Sequence, residues 1–278
     1  AYTVLDIGPI GQLMEPMGTL KFSEAYDVFR QMILCAKDEV DLILFETMSD
    51  LYEVKAGVLA AKENSDLPVF VSMTYEKSGR TLSGCDPETM VAVLEGLGVD
   101  GLGINCSLGP DELYDIMEQV LSHAHVPVLM QPNAGLPHLE DGHTCYAMDD
   151  ASFAEKTVPY VNMGVSVVGG CCGTTPQGIS ILRNLLPKEC IRRQNPYRTC
   201  VTSGVKSVSF DQGIVICGER LNPTGKKKLK QALLEERYDV VLKEGILQES
   251  AKADVLDVNV GVPGIDEVRC MQKVIRLL

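Results

Sequence analysis

Short apolar runs recur at intervals of roughly 30 residues and predict a set of β-strands. They cover residues 2–8, 40–47, 68–75, 99–106, 126–135 and 165–170. The runs are nearly continuous in apolar residues rather than alternating, which is typical of parallel strands buried on both faces. Strands separated by stretches long enough for a helix indicate an α/β fold with a parallel sheet covered by helices.

Helical periodicity is plain in one of these intervening stretches. Its apolar residues fall at i, i+3, i+4, i+7 and i+8, namely Leu113, Ile116, Met117, Val120 and Leu121. Three start signals support other helices: Asp50 with Glu53, Asp86 before Pro87, and Thr175 before Pro176. Strands therefore end just before these points, and polar residues gather where they end, which is the rim where parallel α/β proteins bind ligands.

The pattern changes after about residue 187. Residues 188–210 are basic and contain Ser, Thr and Pro without a clean period, so we interpret them as a linker. A second unit follows, with strands expected at 213–219 and 253–261 and helices after each. Two strands are too few for an independent α/β domain, and the first unit opens inside a strand pattern, so we expect a fragment cut at both ends.

Composition and charge narrow the class of protein. With 45% hydrophobic residues in 278, the chain can bury a sizeable core, and its longest apolar stretches are too short to span a membrane. Residues 1–187 carry 9 Lys and Arg against 26 Asp and Glu, whereas residues 188–278 carry 16 against 12. An acidic first part disfavours nucleic acid and anionic membranes as partners. No leader pattern opens the chain, and we expect a soluble, cytoplasmic protein.

Three of the ten cysteines stand in an unusual setting. Cys171 and Cys172 are adjacent and flanked by glycines, which free the backbone to turn both thiols toward one ion. Cys106 ends another predicted strand, and strand ends converge in a barrel. Three ligands with an open fourth position suit a catalytic zinc, whereas the alternative is simple burial. We interpret the remaining cysteines as packing or incidental residues: Cys35, Cys85, Cys145, Cys190, Cys200, Cys217 and Cys270.

Other polar residues are weaker candidates. Asn133 either lines the pocket or fixes its own turn. His123 and His125 lie where a helix ends and a strand begins, on the rim opposite the ligand rim, and suggest a surface role. His138 and His143 belong to a long loop after a strand of the ligand rim and lack metal-ligand spacing. The alternative is that one of them contacts a substrate or a partner domain.

The motifs GINCSLGP and VVGGCCGTTP, together with LDIGPIG, LFETMSD and PNAGLP, resemble the zinc-dependent homocysteine methyltransferase barrel over nearly all of residues 1–187. The motifs GERLNPTGKKKL and LDVNVG resemble the start of the methyltetrahydrofolate-binding, or pterin-binding, barrel. These two modules in this order are the arrangement of the cobalamin-dependent methionine synthase family. The resemblance implies a (β/α)8 TIM barrel lacking about its first two βα units, then a linker, then the first βα units of a second TIM-type barrel over 211–278.

The resemblance also implies roles for individual residues. Cys106, Cys171 and Cys172 would hold Zn²⁺, which takes the homocysteine sulfur as fourth ligand, so that its thiolate accepts a methyl group from cobalamin. Glu46 corresponds to the acidic residue that holds the substrate amino group; the alternative is a solvated carboxylate near a helix start. The family's acidic residue on its first strand has no counterpart in this chain. Cobalamin would be bound by a module outside the chain.

In the second unit the resemblance points to methyltetrahydrofolate as a ligand. Glu219 and Asn222 follow one predicted strand, while Asp257 and Asn259 follow the next. Asp and Asn side chains match the donor and acceptor edge of a pterin ring, and Asp257 is the first choice. The alternative is that Asp257 and Asn259 only terminate their strand. The run Lys226, Lys227, Lys228 and Lys230 is interpreted as a solvated helix face rather than a contact to the folate tail.

Two other hypotheses remain open at this stage. A homocysteine S-methyltransferase that uses betaine or a sulfonium donor needs the second unit to be something other than a pterin barrel. A non-catalytic zinc-binding fragment is the alternative from a different class, because exposed sheet edges invite self-association. The presence of a cobalamin module further along the parent chain separates the first of these from the main hypothesis.

Overall fold

The computed structural model describes residues 1–140, 143–189, 191 and 193–278. It divides into two compact units, one comprising residues 1–197 and 202–207 and the other residues 198–201 and 208–278. No helix in the described part of the chain is both long and apolar enough to cross a membrane.

The first unit is built on a curled sheet of six parallel strands. Counting a separate pair, β6 and β7, residues 1–197 of this unit contain eight strands. They are β1 (Val4–Ile7), β2 (Leu42–Met48), β3 (Val69–Met73), β4 (Gly101–Asn105), β5 (Val128–Gln131), β6 (Pro137–Glu140), β7 (His143–Tyr146) and β8 (Val167–Val168). The parallel sheet runs in the order β1-β2-β3-β4-β5-β8. Every predicted strand of the first unit is present, and the sheet has the curvature of a half-barrel, consistent with a TIM-type fold.

Six helices cover one face of this sheet. They are α1 (Phe22–Ala36), α2 (Leu51–Asn64), α3 (Pro87–Gly96), α4 (Tyr114–His123), α5 (Asp150–Met163) and α6 (Pro176–Leu185). The predicted start signals are confirmed, since the side chains of Asp50, Asp86 and Thr175 accept hydrogen bonds from the backbone of the first turns of α2, α3 and α6. The four periodic residues within α4 are buried, and so is Leu113, which directly precedes the helix.

Alternation along the strands decides which side chains face the helices and which face the inner side of the half-barrel. Phe45 of β2 meets Phe29 of α1 edge-on at 5.5 Å between ring centroids, and it packs against Gly57 of α2. Its neighbours Leu44 and Glu46 therefore face the inner side. Because β1 and β2 pair with Asp6 opposite Leu44, Asp6 faces the inner side as well. Asp6 and Glu46 are thus presented to the inner, concave side of the half-barrel, which we call the cavity.

Two short hairpin-like elements were not predicted. The segment 136–146, interpreted from sequence as a loop, contains the antiparallel pair β6 and β7. Within the expected linker, β9 (Cys200–Thr202) and β10 (Ser207–Ser209) form a two-stranded sheet. Strands of three or four residues carry too little periodicity to be recognised from their sequence.

A strap formed by residues 193–197 packs against the first unit. The Arg193 guanidinium donates two hydrogen bonds to the Glu118 carboxylate, at 2.9 and 2.8 Å, and a third to the Met163 carbonyl. Asn195 donates to two carbonyls at the end of α4. The Tyr197 ring stacks on the His125 imidazole with centroids 4.0 Å apart and planes 6° from parallel.

The second unit contains two parallel strands and three helices. Its elements are β11 (Cys217–Leu221), α7 (Lys227–Leu234), α8 (Tyr238–Ser250), β12 (Val255–Val258) and α9 (Glu267–Leu277). β12 lies within the predicted segment 253–261, and β11 overlaps the end of the predicted segment 213–219. The two strands pair in parallel. A small apolar cluster that includes Leu221, Leu233 and Val274 holds the unit together.

Candidate metal centre

The three predicted ligand residues come together at the carboxyl end of the half-barrel sheet. Cys106 follows β4 directly, and Cys171 and Cys172 follow β8. All three sulfur atoms lie within 4.8 Å of one another. Cys172 is exposed and the other two are half-buried, so the cluster opens toward solvent on one side.

The sulfur separations fit one tetrahedral zinc ion. The Cys172 sulfur lies 3.8 Å from that of Cys106 and 3.9 Å from that of Cys171. Zinc–sulfur bonds of about 2.3 Å at the tetrahedral angle place ligand sulfurs about 3.8 Å apart. Three thiolates leave the fourth position for another ligand, which is the pattern of a catalytic rather than a structural zinc site.

Backbone strain is concentrated beside the thiols. Cys106, Ser107 and Thr47 have φ angles of 61°, 55° and 58°, a left-handed conformation that residues with a Cβ rarely adopt. Such conformations persist where the surroundings enforce them, and they cluster at functional sites. Here they turn the chain sharply at the ends of two strands, so that the Cys106 side chain stands at the rim.

Asn105 connects the strand ends that carry the site. Its side chain is fully buried; its carbonyl oxygen accepts from the Thr47 amide at 2.8 Å and from the Ser72 hydroxyl at 2.6 Å. Its amide nitrogen donates to the Thr47 hydroxyl at 2.7 Å and to the Cys171 sulfur at 3.8 Å. One side chain therefore ties β2, β3 and β4 to the segment after β8.

Asn133 hydrogen-bonds to two of the three cysteines. It is buried, and its side-chain oxygen accepts from the Cys172 amide at 3.1 Å. Its side chain also hydrogen-bonds to Cys106. The structure therefore places Asn133 at the cysteines, where it orients two of them.

The thiols influence one another even without a metal. A hydrogen bond from Cys171 lowers the pKa of Cys106 to about 5, against the opposing effect of partial burial. The pKa of Cys171 is raised, because its thiol donates to Cys106 and because burial and the neighbouring sulfur charges disfavour a second thiolate. Of this pair, Cys106 is therefore the thiol that ionises first, and a cation between the sulfurs would favour ionisation of Cys171 by offsetting the added charge.

Tyr146, at the end of β7, reaches the cluster from the unpredicted hairpin. Its hydroxyl hydrogen-bonds with Cys172, and burial together with the sulfur charges raises its pKa to about 12. Its ring occupies the space beside Gly173, where an added Cβ would come within 2.6 Å of it. Gly173 has a φ of 79°, so this position needs glycine for two reasons.

Glu46, the predicted substrate-binding residue, faces the same cavity. Burial and the charge of Asp6 raise its pKa, while a hydrogen bond from Gln131 opposes the rise. Burial also raises the pKa of Asp6, and an interaction with Glu46 opposes that rise. The three side chains come from β2, β1 and β5.

The raised pKa of Glu46 predicts a pH-dependent effect of Glu46→Gln on stability. A carboxyl whose pKa is higher in the folded state stabilises the fold fully below its unfolded pKa, and this contribution is lost as the pH rises through the folded pKa. With no substrate added, we expect the variant to have the larger free energy of unfolding at about pH 7, and the difference to vanish near pH 4. Urea unfolding at both pH values measures it.

Glu39→Gln is the control, because Glu39 is exposed and precedes the amino end of β2, whereas Glu46 lies toward the carboxyl end of the same strand. A difference between wild type and Glu46→Gln that is equal at both pH values would contradict the assigned cause.

The histidines and the other cysteines lie apart from the thiol cluster. His125 donates through its backbone and ring to Glu95 and stacks on Tyr197, while His123 lies 3.7 Å from Glu88. His138 and His143 lie on β6 and β7. Cys85 and Cys270 are buried, Cys35 and Cys217 are exposed, and Cys145 and Cys200 are half-buried. Cys190 lies outside the described residues.

The four candidate pterin-binding residues lie at one edge of the second unit. Glu219 lies on β11 and Asn222 directly after it, and Asp257 lies on β12 with Asn259 just beyond its end. Asn222 and Asn259 each accept a hydrogen bond from a backbone amide two residues on. Lys226 pairs with Glu219 at 3.2 Å, while Asp257 remains exposed.

Among these side chains, Asn105, Gln131, Asp6 and Tyr146 were not assigned roles from the sequence. Asn105 and Gln131 carried a signal, because both stand at the carboxyl end of a predicted strand. Asp6 did too, as a charged residue within an apolar run. Tyr146 carried none, since its hairpin was not recognised.

A parallel α/β half-barrel with three converging thiols at its carboxyl-terminal rim is consistent with the TIM-barrel class and carries a candidate metal site at the rim typical of ligand binding in that class. A family model for homocysteine S-methyltransferases matches residues 1–186. The chain belongs to the homocysteine S-methyltransferase family, whose members are S-methyltransferases.

Curated relatives extend the similarity beyond residue 186. The methionine synthase of Mycobacterium tuberculosis is 32% identical over 284 residues, and that of Mycobacterium leprae is 32% identical over 288 residues. Each alignment covers 98% of this chain but 24% of the relative, so the chain spans about a quarter of their length.

A solved structure supports the fold. The apo form of the homocysteine methyltransferase MmuM from Escherichia coli superposes with a TM-score of 0.53 at 21% identity, over 66% of this chain and 62% of that one. At this level of identity, the structural similarity supports a shared α/β barrel fold.

Proposed function

We propose that the first unit binds Zn²⁺ through Cys106, Cys171 and Cys172 and activates homocysteine for methylation to methionine. The observation that carries this proposal is the pair of sulfur separations, 3.8 and 3.9 Å, which suit one tetrahedral ion with an open position. When bound, zinc lowers the pKa of the substrate thiol and so supplies a thiolate nucleophile at neutral pH.

The residues of the chain hold and orient the reactants. Asn105 and Asn133 fix the cysteines from behind, which keeps the open position directed toward the cavity. Glu46 holds the substrate amino group. Glu46 and Cys106 both stand at the carboxyl-end rim of the sheet, and the charge of Cys106 contributes to the raised pKa of Glu46.

The identity of the methyl donor is inferred from the second unit. We propose domain limits of 1–187, 188–210 and 211–278, with a (β/α)8 barrel that lacks about two βα units and the beginning of a pterin-binding barrel. Similarity to methionine synthases over 98% of the chain supports a methyl group that comes from methyltetrahydrofolate by way of methylcobalamin. Asp257, Asn259, Glu219 and Asn222 would contact the pterin, and cobalamin would be bound by a partner domain.

Cys106, Cys171 and Cys172 are free thiols, and this supports the cytoplasmic location expected from the sequence, because reducing compartments keep thiols reduced. It also leaves the three rim thiols available to a metal ion.

The test measures metal content and methyl transfer separately. The protein is purified without chelator, zinc is quantified, and methionine formation from L-homocysteine is followed with methylcobalamin, betaine or S-methylmethionine as donor. We expect about one zinc per chain and transfer from methylcobalamin. Transfer from betaine or the sulfonium would instead favour the other donors, and zinc binding without any transfer would favour a non-catalytic module.

A further inference from the structure

Cys172 is the member of the thiol cluster whose position the parallel sheet fixes least. Cys106 follows β4 directly, whereas Cys172 is exposed and separated from the two-residue strand β8 by a short loop. The next residue, Gly173, has a φ of 79°, and glycine restricts the backbone less than any other residue. A ligand sulfur on such a segment needs contacts from other elements to stay at bonding distance from a metal ion.

The loop after β5 supplies some of these contacts through the backbone. The Cys171 amide donates to the Pro132 carbonyl at 2.8 Å, and the Ala134 amide donates to the Cys172 carbonyl at 2.9 Å. These two bonds restrain the chain as far as the Cys172 carbonyl. The restraint on the residue that follows comes from a different element.

Tyr146 contacts the segment just beyond Cys172. A Cβ built on Gly173 would lie 2.6 Å from Cγ of the Tyr146 ring and 2.7 Å from the Tyr146 Cβ, so the tyrosine packs directly on the Gly173 backbone. Burial, a hydrogen bond with Cys172 and the sulfur charges raise the pKa of Tyr146, which agrees with a hydroxyl close to the thiols. The backbone beside Cys172 is therefore held by an aromatic ring.

The Tyr146 side chain is itself fixed by several contacts. Tyr146 pairs with Pro137 in the antiparallel hairpin of β6 and β7. Two residues further on, the Met148 amide donates to the Ala134 carbonyl at 3.2 Å. The half-buried ring also packs against an apolar cluster that includes Phe153 of α5. A side chain restrained in this way can hold a neighbouring segment in place.

We propose that Tyr146 is a positioning residue of the metal centre, whose ring holds the backbone at Gly173 so that the Cys172 sulfur stays at ligand distance from the other two sulfurs. The inference rests on the proposed function and deepens it. The metal centre is then completed by the hairpin of β6 and β7 as well as by the parallel sheet. Residues that orient metal ligands without binding the metal typically change its affinity by about 10- to 100-fold.

The test measures metal binding by the full chain. Zinc affinity is determined by competition with a chromophoric chelator, and Co²⁺ is bound in place of zinc so that the thiolate-to-cobalt absorption reports the sulfur ligands. We expect Tyr146→Ala to weaken zinc binding by about 10- to 100-fold and to lower this absorption, because Cys172 leaves the ligand set. Tyr146→Phe keeps the ring and should restore the absorption, with zinc affinity within about threefold of wild type, which corresponds to one lost hydrogen bond.

Gly173→Ala tests the same contact from its other side. The added methyl group collides with the Tyr146 ring and also strains a positive φ, so it should weaken zinc binding. In the Tyr146→Ala background the collision is absent and only the backbone strain remains. We expect the loss caused by Gly173→Ala to be at least about threefold smaller in that background than in wild type, because residues in contact are energetically coupled.

Tyr26→Ala is the matched control for the loss of a tyrosine ring. Tyr26 is also half-buried, and it packs against the main apolar cluster of the first unit from α1. The control should lower the free energy of unfolding in urea as Tyr146→Ala does. It should leave zinc affinity and cobalt absorption within about twofold of wild type, because distant sites act independently.

Three results overturn the positioning role while leaving the metal centre in place. They are wild-type zinc affinity and cobalt absorption in folded Tyr146→Ala, equal weakening by Tyr146→Phe and Tyr146→Ala, and equal losses from Gly173→Ala in both backgrounds. A wild-type protein that binds no zinc overturns this role and the proposed function together, and that result appears before any variant is made.

Discussion

Cys106→Ser is expected to abolish metal binding by the protein. The substitution removes one of three thiolates and replaces a soft sulfur with a hydroxyl that stays protonated at neutral pH, so only Cys171 and Cys172 remain. Substitution of residues that only contact the metal ligands typically lowers metal affinity by about 10- to 100-fold. We expect Cys106→Ser to lower the zinc affinity by more than this. Zinc content after dialysis against a chelator, measured by mass spectrometry, should fall from about one ion per chain to near zero.

Cys35→Ser is the control, since Cys35 is an exposed free thiol on α1. It should retain the wild-type zinc content. Because Cys106 carries a positive φ, circular dichroism and urea unfolding of the metal-free proteins must show that Cys106→Ser is folded. Equal zinc content in folded Cys106→Ser and wild type would refute the ligand assignment.

Asn105→Ala should cause the largest loss of stability among substitutions at the rim. The alanine leaves the Thr47 amide, the Ser72 hydroxyl and the Thr47 hydroxyl without the partner that now lies 2.6 to 2.8 Å away. Burial prevents water from replacing all of these bonds. We expect the free energy of unfolding in urea to fall by about 2–4 kcal/mol and zinc affinity to fall by about 10- to 100-fold.

Ser72→Ala isolates a single one of these bonds, because the serine hydroxyl donates to Asn105 and is itself buried. It should cost about 1 kcal/mol and leave zinc affinity near the wild-type value. If both variants cost the same, Asn105 is one ordinary buried residue rather than the connection between four strand ends.

Much of the fold could be predicted because the sequence signals were local. Continuous apolar runs identified all six strands of the parallel sheet, and Asp50, Asp86 and Thr175 marked helix starts that the structure confirms. The convergence of Cys106 with Cys171 and Cys172 followed from one topological rule, that parallel strands end at the same rim. The glycines around the cysteine pair added the backbone freedom that this convergence needs.

The remaining features depend on contacts that no local pattern encodes. Asn105 differs from any other strand-end asparagine only through partners 33 to 66 residues away. Tyr146 reaches Cys172 from a strand of four residues, too short for a period to show. The raised pKa values of Asp6 and Glu46 depend on register and burial, which sequence spacing does not reveal.

The strap of residues 193–197 determines where along the chain the first unit ends. Charge composition changes at about residue 187, and the family match ends at residue 186, yet Arg193 and Asn195 still bond to Glu118 and to the end of α4. A cut at residue 187 would return those groups to water and uncover the His125 ring. The packed part of the thiol-bearing unit therefore extends at least to Tyr197, ten residues beyond the point where the charge composition changes.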